Sequence, residues 1–256
     1  FWGLQFISAS LSPDGRWFLA GSSYGWHLLD TETRREVAAF DIGQRIRAVL
    51  LPDLSAVIGN TTDRVLRWPL RWRTNNQPGT VDIGGPEVIF ASQGRELQRL
   101  SITPNAAALA VGGHLRSVSF DLEETWNTSE FSRGFPQSFV SISPDRRFIA
   151  AADFFGRGIT LWDRADGDLI RTLVPRVQGQ ALFSPDGKRL VTADLDVKVW
   201  DTRTWELIRR LDMRPAIQTE GTLAFSGDGR WLALSKQRDA ANWEIGRMNT
   251  ETGEYQ

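Results

Sequence analysis

The sequence predicts an all-β fold built from one unit that recurs along the chain, and three signals in a fixed order predict it. The first signal is a Ser-Pro-Asp-Gly turn, or a close variant, set between apolar residues. Successive turns begin 39, 52, 40, 41 and 42 residues apart. Such a period is typical of architectures in which each repeat is one supersecondary unit. The turns lie at 12–15, 51–53, 103–105, 143–145, 184–187 and 226–229.

The second and third signals follow each turn. An apolar residue and then a polar one close the repeat, and a further polar turn comes directly afterwards. The recurrence of these signals in one order indicates six copies of the unit. The closing pairs lie at 29–30, 68–69, 120–121, 162–163, 200–201 and 248–249, and the clearest polar turns at 31–36, 164–168, 202–206 and 250–254.

Within one repeat, the signals predict four antiparallel strands. The turn at 184–187 closes a hairpin between strands over 181–183 and 189–193, because proline fixes φ and glycine accepts a positive φ. A third strand ends at Trp200-Asp201, and a fourth runs over 207–211. Each repeat is therefore expected to be a four-stranded meander.

The apolar residues of the second and third strands predict how the repeats assemble. Stretches such as 149–153 and 159–163 carry apolar residues at successive positions, so both faces of the sheet must be covered. A single meander cannot cover both of its own faces. Sheets stacked face to face around an axis can do so, and they also protect their edges. The sequence therefore predicts a β-propeller of four-stranded antiparallel blades.

The repeat spacing divides the chain, taken as one propeller fragment over 1–256, into six expected blades. The sixth copy stops where its fourth strand should begin, so we expect a seven-bladed ring of which six blades are visible, with a closed six-bladed ring as the alternative. The interval of 52 residues places an insertion at 74–86, whose Asn, Gln, Pro and Gly content predicts a loop. The expected blades span approximately 5–40, 41–85, 86–134, 135–177, 178–216 and 217–256.

These features resemble the WD40 repeat family over essentially the whole chain. The residues that carry the resemblance are Leu161-Trp162-Asp163, Val199-Trp200-Asp201, the Ser-Pro-Asp-Gly turns and the repeat spacing. The resemblance implies a β-propeller that presents loops to protein or peptide partners. It further implies divergent copies of a bacterial type, and the PD-type propellers of periplasmic proteins are the rival family.

The copies depart from the family at its histidine. A typical WD40 repeat has a Gly-His pair before the first strand, and this histidine joins an Asp, a Ser or Thr and a Trp in a buried hydrogen-bond network. Neither His27 nor His114 occupies that place. Asp194 and Thr192 match the family's Asp and hydroxyl positions beside Trp200. We therefore expect the network to be present only in part.

Composition and charge argue against several classes of ligand. A formal net charge of −1 provides no general attraction for nucleic acid or for an anionic membrane surface. The chain has no cysteine and two histidines, which disfavours a zinc site. No apolar run reaches the roughly 18 residues that a membrane-spanning helix needs. We expect no metal, no cofactor, no nucleic acid and no membrane as ligands, and a cytoplasmic location.

Two motifs that resemble functional sites have ordinary structural explanations. Residues 21–25 match the Gly-x-Ser-x-Gly motif of serine hydrolases, but that motif needs a strand-to-helix turn and Ser23 lies between two predicted strands. The stretch 67–73 interleaves Arg with Trp, yet its period-two alternation predicts a half-buried strand rather than a nucleic-acid surface. We predict no catalytic residue and a protein that is not an enzyme.

The binding residues that the sequence suggests lie in loops at one end of the propeller. Residues 153–158 read Asp-Phe-Phe-Gly-Arg-Gly and connect the second and third strands of the fourth repeat. Two aromatic rings and an arginine at a loop tip are typical of interaction hot spots, although one Phe can instead fold back into the blade. The predicted partner-binding residues are Phe154, Phe155, Arg157, Arg45, Arg47 and Arg176.

These observations predict a non-catalytic scaffold or sensor domain that binds a protein or peptide. Because the sequence begins Phe-Trp-Gly, we also expect it to be a piece of a larger multidomain protein. The alternative function is the propeller portion of an enzyme or of a secretion component, such as the gating propeller of a serine peptidase or a periplasmic PD-type propeller.

Overall fold

The computed structural model describes most of the chain, and every regular element in the described part is a β-strand. The described residues are 6–73, 80–92, 97–103, 108–113, 117–121, 128–131, 137–153, 156–194, 196–212, 223–237 and 243–256.

The strands form small antiparallel sheets, numbered here in chain order. Sheet 1 consists of β1 (Phe6–Leu11), β2 (Trp17–Ser22), β3 (Gly25–Asp30) and β4 (Arg35–Asp41). Sheet 2 consists of β5 (Arg47–Leu50), β6 (Ala56–Asn60), β7 (Arg64–Trp72), β8 (Val81–Ile83) and β9 (Glu87–Ala91). Sheet 3 consists of β10 (Leu97–Ile102), β11 (Ala108–Gly113), β12 (Ser117–Asp121) and β13 (Thr128–Phe131).

The remaining sheets follow the same order. Sheet 4 consists of β14 (Gln137–Ile142), β15 (Phe148–Asp153), β16 (Gly158–Asp163) and β17 (Leu169–Pro175). Sheet 5 consists of β18 (Gln180–Phe183), β19 (Arg189–Ala193), β20 (Asp196–Asp201) and β21 (Leu207–Asp212). Within the described residues, sheet 6 consists of β22 (Leu223–Phe225), β23 (Trp231–Gln237) and β24 (Trp243–Asn249).

The sheets follow one another as the blades of a propeller. Outside sheet 2, the strands of each sheet pair in chain order as a meander. The first strand of each sheet also contacts the first strand of the next, from β1 and β5 to β18 and β22. Five of the sheets contain the four or more strands of a complete blade. The prediction of an all-β propeller is confirmed.

A meander gives each sheet two distinct ends. The turns between the first and second strands and between the third and fourth strands lie at one end, which we call the turn end. The connections between the second and third strands and those between successive sheets lie at the other, the connection end. The binding residues predicted from the sequence belong to the connection end.

The Ser-Pro-Asp-Gly turns adopt the geometry that the sequence predicts. Ser184 Oγ donates to Asp186 Oδ1 at 2.6 Å, and the backbone N–H of Arg189 donates to Ser184 Oγ at 3.0 Å. Gly187 has a φ of 70°, which glycine adopts without steric cost. The turns that begin at Ser12, Ser143 and Ser226 repeat both bonds. Local sequence is therefore sufficient to specify these hairpins.

The insertion in sheet 2 contains a strand, so the prediction of a loop over 74–86 was wrong in part. β7 continues to Trp72, and Val81–Ile83 pairs with its extended portion. The reason is visible in the alternation at 66–72, where the buried Leu66, Trp68 and Leu70 lie on one face and the strand pattern simply continues.

The end of sheet 2 also lies later than expected. β9 pairs with the earlier part of β7 and is the fourth strand of this sheet. Sheet 2 therefore extends to Ala91, past the boundary expected at 85, and the blade expected to begin at 86 has Leu97–Ile102 as its first strand. The hairpin of β7 and β8 is inserted between the third and fourth strands, which delays the fourth.

Sheet 6 has three strands in the described part of the chain, and the last residues pair along its edge. Met248 forms an isolated bridge with Tyr255. Arg247 and Gln256 exchange two backbone hydrogen bonds of 2.9 Å. Residues 254–256 thus lie where a fourth strand would begin.

Apolar side chains between neighbouring sheets form the core. In sheet 4, Ile149, Ala150, Ala151 and Ala152 are all fully buried, as the run at 149–153 predicts. The junction of sheets 1 and 2 holds the largest fully buried side chains, Trp26 and Trp68, whose rings lie 6.0 Å apart edge to face. Aromatic contacts of this kind stabilise the stacked sheets in addition to the stabilisation that comes from the buried apolar area.

Serine hydroxyls join the first strands of neighbouring sheets. Ser10 Oγ accepts the Leu50 backbone N–H at 3.0 Å, and Ser141 Oγ accepts the Phe183 backbone N–H at 3.1 Å. The two bonds span 40 and 42 residues of sequence, which is one repeat. They satisfy backbone donors of the first strand on the side away from its own sheet.

Candidate functional site

The two loops predicted to bind a partner meet at the connection end of sheet 4. The backbone N–H of Arg176, just after β17, donates to the carbonyl of Arg157, just before β16, at 3.1 Å. Arg157 and Arg176 are both exposed. Arg176 has a φ of 58°, an uncommon conformation for a residue with a side chain. The structure therefore brings these two predicted residues together.

The neighbouring residues of this loop are only partly described. Gly156 has a φ of 74°, and a Cβ added there would lie 3.5 Å from Gln178 Cγ, so the loop packs on the segment that leads into sheet 5. Phe154 and Phe155 lie outside the described residues. Their role in binding stays a prediction.

The two other predicted arginines lie at the start of sheet 2 and differ in exposure. Arg45 is exposed in the connection from sheet 1 to sheet 2. Arg47 instead belongs to β5, where it pairs with Asn60, and it is half-buried. Its Nε atom is buried, so Arg47 is less exposed than Arg45.

The acidic residues at the connection end of sheet 5 are neutralised internally. Lys198 Nζ lies 2.6 Å from Asp194 Oδ1 and 3.8 Å from Asp196 Oδ2. Arg210 Nε donates to Asp196 Oδ2 at 2.7 Å. The side chains of Asp194 and Asp196 are 7% and 8% exposed, so their charges are largely withdrawn from the surface.

In sheet 5, one hydrogen bond agrees with the network that the resemblance led us to expect, whereas the matching Asp is bonded elsewhere. Trp200 Nε1 donates to Thr192 Oγ1 at 2.9 Å, as the match of Thr192 to the family's hydroxyl implies. Asp194 instead accepts from Lys198 and from the backbone N–H of Asp196. In sheet 4, Trp162 Nε1 donates to Thr160 Oγ1 at 2.9 Å. The Trp–Thr bond thus recurs with a different threonine.

A groove at the turn end of sheets 4 and 5 is the second candidate surface, and sequence reasoning missed it. Its volume is about 550 Å³. The Trp205 ring lies 5.0 Å from Phe148 and 6.5 Å from Phe183, edge to face in both contacts. We call this surface the 4–5 groove; its principal side chains are Asp145, Arg147, Phe148, Ile170, Phe183 and Trp205.

Trp205 is held in the 4–5 groove by its backbone. It has a φ of 58° and stands four residues after Asp201, a position that glycine fills as Gly167 and Gly253 in sheets 4 and 6. The Arg171 side chain of sheet 4 donates to the Trp205 carbonyl at 3.1 Å. A bulky residue at a position suited to glycine costs conformational energy, which the aromatic contacts offset.

The carboxylates of the turn end stabilise turns. Hydrogen bonds from the Ser12 hydroxyl and the Arg16 backbone N–H lower the pKa of Asp14, and the Ser226 hydroxyl and Arg230 backbone N–H lower that of Asp228. The backbone N–H groups of Thr204 and Arg203 lower the pKa of Asp201. These carboxylates are ionised at neutral pH and suited to accept hydrogen bonds rather than to transfer protons.

The described residues offer neither a metal site nor a helix that spans a membrane. No group of three or more His, Asp or Glu side chains converges within them. No helix in the described part is long and apolar enough to cross a bilayer.

Comparison with known proteins adds no family assignment. No protein-family model matches the chain, and no curated protein matches it. The fold and the two surfaces are the basis for the functional proposal.

Proposed function

We propose that this chain is a non-catalytic, WD40-like scaffold that binds a protein or peptide partner at its connection end. The observation that carries the proposal is the contact between the Arg157 carbonyl and the Arg176 backbone N–H. It holds two exposed arginine side chains on adjoining loops, directly after the Phe154-Phe155 pair in sequence. Short loops fixed by a rigid sheet lose little entropy on binding.

The charges at this end favour a partner with acidic residues. Asp194 and Asp196 are buried and paired with Lys198 and Arg210, whereas Arg157 and Arg176 are exposed. Arginine presents a planar set of donors that matches a carboxylate. An acidic peptide that also carries an apolar residue would complement both the arginines and the neighbouring phenylalanines.

The proposal includes the arrangement of the blades. Each of the sheets is one blade, so the chain contributes six blades to a ring of the seven-bladed kind. The recurrence of the same serine and aspartate bonds in the turns of sheets 1, 4, 5 and 6 supports equivalent blades. Class averages from electron microscopy of the intact protein would count the blades directly.

Selection from a library of short random peptides displayed on phage tests the proposed function. We expect selected peptides to lose affinity by about tenfold or more, on the order of 1.4 kcal/mol, when Phe154, Phe155 and Arg157 are together replaced by alanine. The matched control is Arg35→Ala, an exposed arginine at the turn end of sheet 1. Thermal unfolding of both variants shows that the fold is retained.

Two results would contradict the proposal. One is that none of the selected peptides loses affinity in the triple alanine variant. The other is that the peptides sensitive to the triple variant lose as much affinity in Arg35→Ala, which would show that the loss is not specific to the connection end.

A further inference from the structure

The 4–5 groove has a counterpart at the turn end of sheets 1 and 2. Phe148 stands five residues after the turn serine Ser143, and Trp17 stands five after Ser12. Ile170 and Val37 occupy the same place on their fourth strands. Ile170 follows Leu169, which pairs with Trp162 near the end of β16, and Val37 follows Glu36, which pairs with Leu29 near the end of β3. The two junctions can therefore be compared position by position.

In the counterpart, a segment of the chain itself covers the aromatic residue. Trp72, from the extended part of β7, lies with its ring 4.5 Å from Trp17, and its Nε1 donates to the Leu54 carbonyl at 2.8 Å. Val81 is buried, and Ile83 packs against the same hydrophobic cluster as Val37. The cover is thus an extended hairpin that places alternate apolar side chains on the junction.

The 4–5 groove has the same apolar floor without such a cover. The segment after β20 is a short turn, and its Trp205 contacts Phe148 much as Trp72 contacts Trp17. Nothing in the described residues corresponds to β8. Ile170 consequently remains 42% exposed, beside a space of about 550 Å³.

The two junctions also differ in whether the arginine after the turn forms an ion pair. In sheet 1, Arg16 pairs with Asp30 at 3.3 Å and with Glu32 at 3.8 Å. The equivalent Arg147 stacks on the Phe148 ring at 4.9 Å and forms no ion pair within the described part of the chain. Arg203, also exposed, likewise has none there.

The carboxylates near these arginines already accept hydrogen bonds. Asp145 Oδ1 accepts from the Ser143 hydroxyl and from the Arg147 backbone N–H, and Asp163 Oδ1 accepts from the Ala165 backbone N–H. Neither carboxylate forms an ion pair with Arg147 within the described part of the chain. Charge complementarity therefore favours an acidic group on whatever occupies the groove.

We propose that the 4–5 groove docks an extended segment of a partner protein that alternates apolar side chains and carries an acidic residue. The apolar side chains cover Ile170 and Trp205, as Val81 and Ile83 cover the junction of sheets 1 and 2. The acidic residue pairs with Arg147. This site lies at the opposite end of the sheets from the loops of the proposed function, so either can exist without the other.

The same phage-displayed peptide library tests this site with a different pair of variants. Ile170→Lys places a charge in the groove, and Ile208→Lys is the matched control because Ile208 occupies the same place in sheet 5 and is 50% exposed. We expect a class of selected peptides with alternating apolar residues and an Asp or Glu. Their affinity should fall about tenfold in Ile170→Lys and remain unchanged in Ile208→Lys.

Two further variants separate packing from charge. Trp205→Gly removes the aromatic ring while suiting a φ of 58°, and it should weaken the same peptides. Arg147→Glu should weaken them most at low salt, since an exposed ion pair is screened as salt is added. Arg176→Glu, at the connection end, should leave them unaffected.

The result that overturns the docking site is an absence of peptides sensitive to Ile170→Lys, or peptides that lose as much affinity in Ile208→Lys. Peptides that respond only to Arg176→Glu would support the proposed function while removing this site. Peptides that respond only to Ile170→Lys would do the reverse.

Discussion

At the turn end, the junction of sheets 4 and 5 is aromatic, whereas the junction of sheets 5 and 6 is ionic, although the two share one backbone arrangement. Phe148 contacts Trp205 in the first. In the second, the equivalent residue is Arg189, which donates to Thr250 Oγ1 at 2.7 Å and lies 3.3 Å from Glu251 Oε1. A single position after the turn thus determines whether a junction is apolar or charged.

A second contact is common to both junctions. Arg171 of sheet 4 donates to the Trp205 carbonyl at 3.1 Å, and Arg209 of sheet 5 donates to the Glu251 carbonyl at 2.7 Å. Both arginines are the third residue of a fourth strand. The comparison shows that an arginine-to-backbone bond is the constant feature, while the side chains beside it vary with the surface that each junction presents.

The largest difference should appear when the buried aromatic of the first junction is removed. Phe183→Ala is expected to destabilise the chain by about 3–4 kcal/mol, because it deletes a side chain that is 6% exposed and leaves a cavity. Urea unfolding followed by circular dichroism measures this loss. A change below about 1 kcal/mol would mean that the junction does not pack as described.

A smaller loss is expected at the glycine of the ionic junction. Gly253 has a φ of 77°, and a Cβ there would lie 2.8 Å from Arg209 Cδ. Gly253→Ala should cost about 1–2 kcal/mol, from backbone strain and displacement of that arginine. Arg34→Gly is the control, since Arg34 has a φ of 57° at the same place in sheet 1 and should be tolerated. Equal destabilisation by both variants would contradict the explanation.

The exposed ion pair should contribute least of the three contacts. The Arg189 and Glu251 side chains are 25% and 60% exposed. Glu251→Gln should therefore change the free energy of unfolding by about 0.5 kcal/mol, and less at high salt. Unfolding in low and high salt measures the effect. A loss that does not depend on salt would indicate packing rather than charge.

The turn carboxylates predict how stability depends on pH. The pKa values of Asp14 and Asp228 are lowered, chiefly by the hydroxyls of Ser12 and Ser226. The unfolded chain therefore binds protons more tightly than the folded one, so their contribution is complete above the ordinary value of 3.8 and is lost as pH falls through the lowered values. Measuring the free energy of unfolding between neutral and acidic pH checks this. In the double variant Asp14→Asn and Asp228→Asn, the free energy of unfolding should decrease less as the pH is lowered. If the double variant loses as much stability at acidic pH as the original chain, other groups control the pH dependence.

The sequence was sufficient to predict the parts of the fold that are specified locally. The turn at 184–187 contains the residues that form its hydrogen bonds, so its position and geometry can be predicted from these four residues alone. The apolar run at 149–153 likewise indicates burial on both faces. The end of sheet 2 was misplaced because the pairing of β9 with β7 depends on contacts between residues that are distant in sequence.

The candidate surfaces were likewise predictable where local sequence specifies them, and not where they depend on contacts between distant residues. Adjacent loops could be inferred from the order of strands, and the contact between Arg157 and Arg176 agrees with that order. The half-burial of Arg47 could not be inferred, because the turn residues Asp41 and Gly43 do not fix the residue at which β5 begins. The contact of Trp205 with Phe148 joins two repeats, and a tryptophan in a polar turn was the one available signal.

Amide hydrogen exchange of the chain with and without an acidic peptide obtained by selection tests the central claim most directly. If a rigid propeller presents its connection end to a partner, exchange should slow at 156–158 and 176–178 while the strands of sheet 4 keep their rates. Protection spread through the strands, or protection absent from the connection end, would contradict the claim.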